Sequence, residues 1–135
     1  MRVAVSAAGP SLDAPVDPRF GRCAYFVIVD TDTMQYEIVP NSSLNAPSGA
    51  GIQAAQTVAT KDIKVLITGH VGPNAFQALS AVGIKIVIGA FGTVKEVIEK
   101  YKSGELKETD VPTVRGNFGM GMGRGRGGGR RQWGT

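Results

Sequence analysis

One cysteine and one histidine stand among the 135 residues, Cys23 and His70, and a thiolate and an imidazole are the donors a soft or borderline transition metal selects. A lone cysteine excludes an internal disulfide framework, a four-cysteine zinc site and an iron–sulfur cluster held by this chain's thiolates alone. Two donors make a docking point for a preformed cluster and not a closed metal cage. Each also has a structural reading: a small buried hydrophobe for Cys23, an exposed or capping turn residue for His70. Near them in the chain lie Arg19 and Arg22, and Gly51, Gly69 and Gly72 allow backbone N–H groups to approach an anion closely. Hydrolysis is less well provided for. Two-metal nucleases need several carboxylates on central strands, but the opening strand has none, and Asp13 and Asp17 fall in a loop. Asp17-Pro18 reads as a turn opener, and Gly49-Ala50-Gly51 lacks the Gly-Lys-Ser/Thr of a phosphate-cradling Walker loop. These residues predict binding without catalysis.

The elements that must position them follow from hydrophobic spacing. Val3, Val5 and Ala7 alternate in a first strand, and a loop rich in Gly, Pro and Asp runs from Gly9 to about Cys23. Tyr25-Phe26-Val27-Ile28-Val29 is a continuous apolar run, as in a strand covered on both faces. A turn at 30–33 leads to Met34, Tyr36 and Ile38, alternating with polar residues in a half-exposed edge strand. Beyond a loop at 41–51, Ile52, Ala55, Val58 and Ala59 fall at helical spacing. Val65-Leu66-Ile67 forms a short strand. Pro73 opens a second helix with Ala75, Phe76, Leu79 and Val82 on one face, and Gly83 stops it. Ile84–Ile88 is the fifth strand. Thr93 with Glu96 is a capping box, opening a third helix with Val94, Val97, Ile98 and Tyr101 inward, ended by Gly104.

The order β-β-β-α-β-α-β-α, with right-handed parallel crossovers, predicts an α/β, ribonuclease-H-like three-layer fold. Its mixed five-stranded sheet has order 3-2-1-4-5, with the second strand antiparallel, and carries three helices. In that topology the loops after strands one, three, four and five converge on one rim with the three helix N-termini. Ligands of open α/β sheets favour this carboxyl edge, and uncapped N–H groups with a partial positive charge suit it to an anion. Cys23 and His70 both map to this rim.

Charge divides the chain into two parts. Residues 1–114 hold ten Lys+Arg against eleven Asp+Glu, whereas 115–135 hold five arginines, no acid and nine glycines. We therefore expect a domain over residues 1–110 and a disordered Gly/Arg/Met-rich cationic tail over 111–135. Arg124, Arg126, Arg130 and Arg131 are its candidate polyanion-binding residues. The Arg126-Gly127-Gly128 step, with Phe118 and Trp133 for base stacking, opens an alternative function in binding RNA or another polyanion. No apolar run approaches a membrane span, the N-terminus is too short in apolar residues for a signal peptide, and a free thiol suits a reducing cytoplasm.

The segment Asp17-Pro18-Arg19-Phe20-Gly21-Arg22-Cys23-Ala24-Tyr25-Phe26 resembles the FGR-x-x-(Y/F)-F signature of the dinitrogenase iron–molybdenum cofactor biosynthesis domain family, the NifX/NifB-C-terminal and orange-protein type. Gly69-His70-Val71-Gly72-Pro73-Asn74-Ala75-Phe76, Gly83-Ile84 and Gly92-Thr93-Val94 resemble its second half, and the likeness spans about residues 1–108. The resemblance implies the ribonuclease-H-like fold. It implies also non-covalent binding of an anionic iron–sulfur or molybdenum-containing sulfide cluster, as carrier, scaffold or store, without catalysis. Arg19, Phe20, Gly21 and Arg22 join Gly51, Gly69 and Gly72 as the expected cluster-binding residues, with Cys23 and His70 as metal ligands. Arg19 stands where nitrogenase cofactor carriers of the family tend to have a histidine. Expected partners are the cluster, cluster-assembly or recipient proteins, and further copies of this chain through the tail.

Overall fold

The computed structural model describes residues 1–109. Residues 110–135, with the tail arginines Arg124, Arg126, Arg130 and Arg131 and the expected domain boundary, lie outside them. Five strands, β1 (Arg2–Ala7), β2 (Tyr25–Asp30), β3 (Tyr36–Pro40), β4 (Val65–Ile67) and β5 (Lys85–Val87), form one sheet in the order β3-β2-β1-β4-β5. β2 pairs antiparallel with both neighbours, and β1, β4 and β5 are mutually parallel. Three helices complete the fold, α1 (Ala50–Ala59), α2 (Pro73–Ala81) and α3 (Val94–Lys102).

The period of two in the strands supplies two cores. Ala4, Phe26, Ile28, Leu66 and Ile86 face α1 and α2, meeting Ala54, Ala55, Val58, Ala75 and Leu79. Val3, Val5, Val27, Val29, Val65, Ile67 and Val87 face the other way, onto Val94, Val97 and Ile98 of α3. Two helices cover one side and one covers the other, so Ala14 and Val16 of the first loop fill the remainder of the second core. The expected architecture stands.

Local departures have simple causes. Val82 and Ile52 are exposed: α2 ends at Ala81 before Val82 can turn inward, and α1 buries small alanines where its N-terminal half meets α2. Gly83 (φ +83°) leads the chain out of α2 in a left-handed conformation that favours glycine. The Thr93–Glu96 capping box forms in full, with Glu96 N–H donating to Thr93 Oγ1 (3.1 Å) and Thr93 N–H to Glu96 Oε1 (2.8 Å). The N-terminus of α3 is nevertheless not open to a ligand. Val94 N–H donates to Ala14 O and Lys95 N–H to Leu12 O, both at 2.9 Å. The first loop plugs this helix, leaving α1 and α2 as the helices that open on the rim.

Candidate functional site

The centre of the rim is a crossing of two chain segments. Pro18-Arg19 runs beside Gly69-His70, with His70 N–H donating to Pro18 O at 2.8 Å and Arg19 paired in parallel register with His70. The backbones are so close that a Cβ on Gly69 would lie 2.5 Å from Pro18 Cα. Directly paired residues project to one side of a sheet, so Arg19 and His70 stand together on the surface although 51 positions separate them in the chain. Both are exposed.

Arg19 is held from behind. Asp17 Oδ1 accepts from Arg19 N–H (3.0 Å) and Nε (3.2 Å), and Asp17 Oδ2 accepts from Arg19 Nη2 (3.2 Å). The first of these bonds is the turn expected at Asp17-Pro18. The hydrogen bond and charge of Asp17 push the guanidinium still further above its usual range, so it stays a cation throughout.

The FGR segment has a different task from the one its motif suggests. Phe20–Arg22 is a short 3-10 turn. Phe20 is buried against Phe26, with ring centroids 5.5 Å apart, so it belongs to the core and offers a ligand no surface. Gly21 lies against α1, where a Cβ would meet Gly51 N at 2.9 Å, and its carbonyl accepts from Asn41 Nδ2 and Ser43 Oγ, each at 3.2 Å. Arg22 Nη1 donates to Leu44 O (2.9 Å) and Ala46 O (2.6 Å), strapping the 41–46 loop to the turn. That donor is spent on structure.

Cys23 also departs from expectation. It has no exposed surface, and its Sγ donates to Phe20 O at 3.4 Å. Burial first, and then the charge of Asp17, pushes the thiol up to about 12. A buried protonated thiol is not the thiolate a metal needs, so Cys23 and His70 do not form a ligand pair in this conformation: they share the rim but not a surface. Among the described residues, no three His, Cys, Asp or Glu side chains gather as a metal site.

Backbone donors fill that role better. α1 and α2 lie side by side, and a Cβ on Gly51 would come 3.2 Å from Ala75 Cβ. Neither helix has a side-chain cap or an acidic residue in its first turn. Among the described residues, the N–H groups of Ala50, Gly51, Ile52, Asn74 and Ala75 meet no acceptor. Gly72 precedes α2 as its N-cap, and among the described residues nothing lies within 4 Å of where its Cβ would lie. The rim thus gathers Arg19, His70, Gly21, Gly51, Gly69 and Gly72, a setting suited to an anion held by charge and N–H dipoles.

Sequence reasoning missed Asn41 and Ser43, and it saw in Asp17 a turn opener but not the anchor of Arg19; the three build the site from inside. Their signal is local: Asp17 and Asn41 each accept from the N–H two residues on, the spacing of an Asx turn. It missed too that Phe91, 75% exposed at the rim, lies under Lys100 Nζ, 4.9 Å from the ring centroid.

The family described as dinitrogenase iron-molybdenum cofactor matches residues 1–104. The apo form of the orange protein from Desulfovibrio gigas superposes with a TM-score of 0.82 at 47% identity, over 84% of this chain and 96% of that one. A Thermotoga protein provisionally assigned as NifB superposes at 0.74 with 37% identity, over 85% and 98%. An uncharacterized protein of Methanocaldococcus jannaschii is 27% identical over 96 residues, 69% of this chain and 81% of that one.

Proposed function

Because the chain belongs to the dinitrogenase iron-molybdenum cofactor family, we propose that it binds an anionic metal–sulfur cluster at the carboxyl rim and carries, scaffolds or stores it without catalysis. The observation that carries this reading is the rim itself. Arg19 and His70 stand side by side next to two uncapped helix N-termini with no acid in their first turns. Each such terminus stabilises an anion by about 0.3–1 kcal/mol at an exposed site, so two of them with a fixed arginine hold an anion usefully but reversibly. The neighbouring orange protein is described as an apo form, the term for a protein that also has a cofactor-loaded one.

The donor set favours non-covalent holding. Arg19 supplies charge, the glycine-rich turns supply N–H groups, and His70 is the one exposed side chain of the two expected metal ligands. Cys23 enters as a core residue. The cargo is an iron–sulfur or molybdenum-containing sulfide cluster, and cluster-assembly or recipient proteins are the partners this role requires. Among the described residues no helix is long and apolar enough to cross a membrane. Catalysis is disfavoured because the nearest carboxylate, Asp17, has both oxygens on Arg19.

The test is an anaerobic titration with tetrathiomolybdate and with reconstituted iron–sulfur clusters, read by visible absorbance. Saturable binding that weakens at least about tenfold in an Arg19→Gln/His70→Ala variant is expected. Equal binding by the folded variant and the wild type removes the rim from the account.

A further inference from the structure

The Asp17–Arg19 pair divides the guanidinium into two edges. Asp17 is nearly buried, with 9% of its side chain exposed, whereas Arg19 keeps 61%. Both bonds to the carboxylate leave from one edge of the guanidinium, Nε and Nη2. Among the described residues Nη1 has no acceptor, so the opposite edge, Nη1 with the second hydrogen of Nη2, is open at the rim. Rotation of that edge is restrained. Arg19's own N–H is tied to Asp17 Oδ1, and its backbone is registered against His70. A planar fork with two free parallel donors recognises a pair of adjacent acceptor atoms.

Resting on the reading that the rim binds an anionic cluster, we propose that Arg19 is a two-edged clamp: Asp17 fills and positions the inner edge, the outer edge takes two adjacent oxo or sulfido atoms of the cargo, and the Asp17 charge keeps the cargo exchangeable. The last part follows from electrostatics. With a guanidinium between them the carboxylate and a bound dianion are separated by about 8 Å, and their solvent-screened repulsion is worth a factor of about three to ten in affinity at low salt. A carrier must release what it binds, and a counter-charge beneath the anchoring arginine weakens the hold without removing the geometry.

The experiment compares tetrathiomolybdate affinity for wild type, Asp17→Asn and Arg19→Lys across a series of salt concentrations, with Tm measured for each. Asn at position 17 retains an Oδ1 acceptor for the Arg19 N–H and Nε. Asp17→Asn is therefore expected to bind about three- to tenfold tighter at low salt, with a steeper salt dependence. Arg19→Lys keeps the charge but has no second edge once Asp17 has engaged it, and is expected to bind at least about fivefold weaker. A folded Asp17→Asn protein that binds equally or more weakly at every salt concentration overturns the clamp and leaves the rim reading standing. If Asp17→Asn does not fold, Arg19→Lys decides: unchanged affinity overturns the clamp. Failure of the wild type to bind tetrathiomolybdate overturns both proposals.

Discussion

Replacing Gly69 by alanine should cost more than its single methyl suggests. The added Cβ would lie 2.5 Å from both Pro18 Cα and Pro18 Cβ, and 2.9 Å from Pro18 O. Two of those atoms are backbone and the third belongs to a rigid ring, so no flexible side chain can move aside. Overpacking of this kind costs roughly 1–3 kcal/mol. Separating the segments also strains the 2.8 Å bond from His70 N–H to Pro18 O, worth about 1 kcal/mol. The expected loss is about 2–4 kcal/mol, a fall in Tm of roughly 6–15 °C for a chain of this size. Because the crossing registers Arg19 against His70, thiomolybdate affinity should fall with it. Gly72→Ala is the internal control: nothing among the described residues lies within 4 Å of its Cβ position, its φ is −76°, and exchanging glycine for alanine at this N-cap costs roughly 0.5–1 kcal/mol. Differential scanning calorimetry with parallel anion titration measures both variants. A Gly69→Ala protein melting within about 2 °C of wild type, with unchanged affinity, would show that the close crossing does not organise the rim.

Four further outcomes are expected. The Cys23 thiol, held protonated to about pH 12, should resist alkylation at pH 8 in the native protein and react readily in denaturant; fast native reaction contradicts its placement. Its raised value also means that its stabilising contribution is complete below the unfolded thiol's value near 9.0 and is lost as pH rises towards 12. The stability difference between wild type and Cys23→Ala should therefore shrink over that interval, and a constant difference would refute the linkage. Arg22→Lys should speed proteolysis between Leu44 and Ser48, because an ammonium cannot reproduce the bonds to Leu44 O and Ala46 O; an unchanged cleavage rate argues against the strap. Truncation after Pro112 removes Arg115, Arg124, Arg126, Arg130 and Arg131, and should abolish salt-sensitive association with iron sulfide polymer or RNA while discrete clusters still bind. Competition by polyphosphate separates a general charge collector from an RNA-binding tail, and unchanged association after truncation defeats both.

The sheet order, the two crossovers and the capping box were legible because each depends on a short-range pattern: a period of two, a period near 3.6, or a three-residue spacing. What escaped depends on contacts between segments remote in sequence. Nothing in the composition of residues 9–16 signals that Leu12 and Ala14 carbonyls cap α3, since a loop without periodicity carries no record of where it packs. Phe20 was expected at the site from the family signature and Cys23 from its thiolate donor at the rim, yet the 3-10 turn buries Phe20 and the chain leaving it buries Cys23. Arg22 resembled an anion contact from its charge alone, and its two carbonyl acceptors lie 22 and 24 residues away. Arg19 and His70, by contrast, both fall at the carboxyl edge where the rule for loops in an α/β sheet places them, but their direct pairing, in place of the expected Cys23–His70 pair, depends on a crossing between segments 51 positions apart.

The most direct test of the account is the composition of the protein purified without oxygen from its native source, analysed for iron, molybdenum and acid-labile sulfide. The account predicts metal and sulfide together in a fixed ratio to protein, lost from an Arg19→Gln/His70→Ala variant and retained by Cys23→Ser. A wild-type protein that contains neither and takes up no thiometallate, or whose cluster disappears only when Cys23 is replaced, would contradict non-covalent holding at the rim.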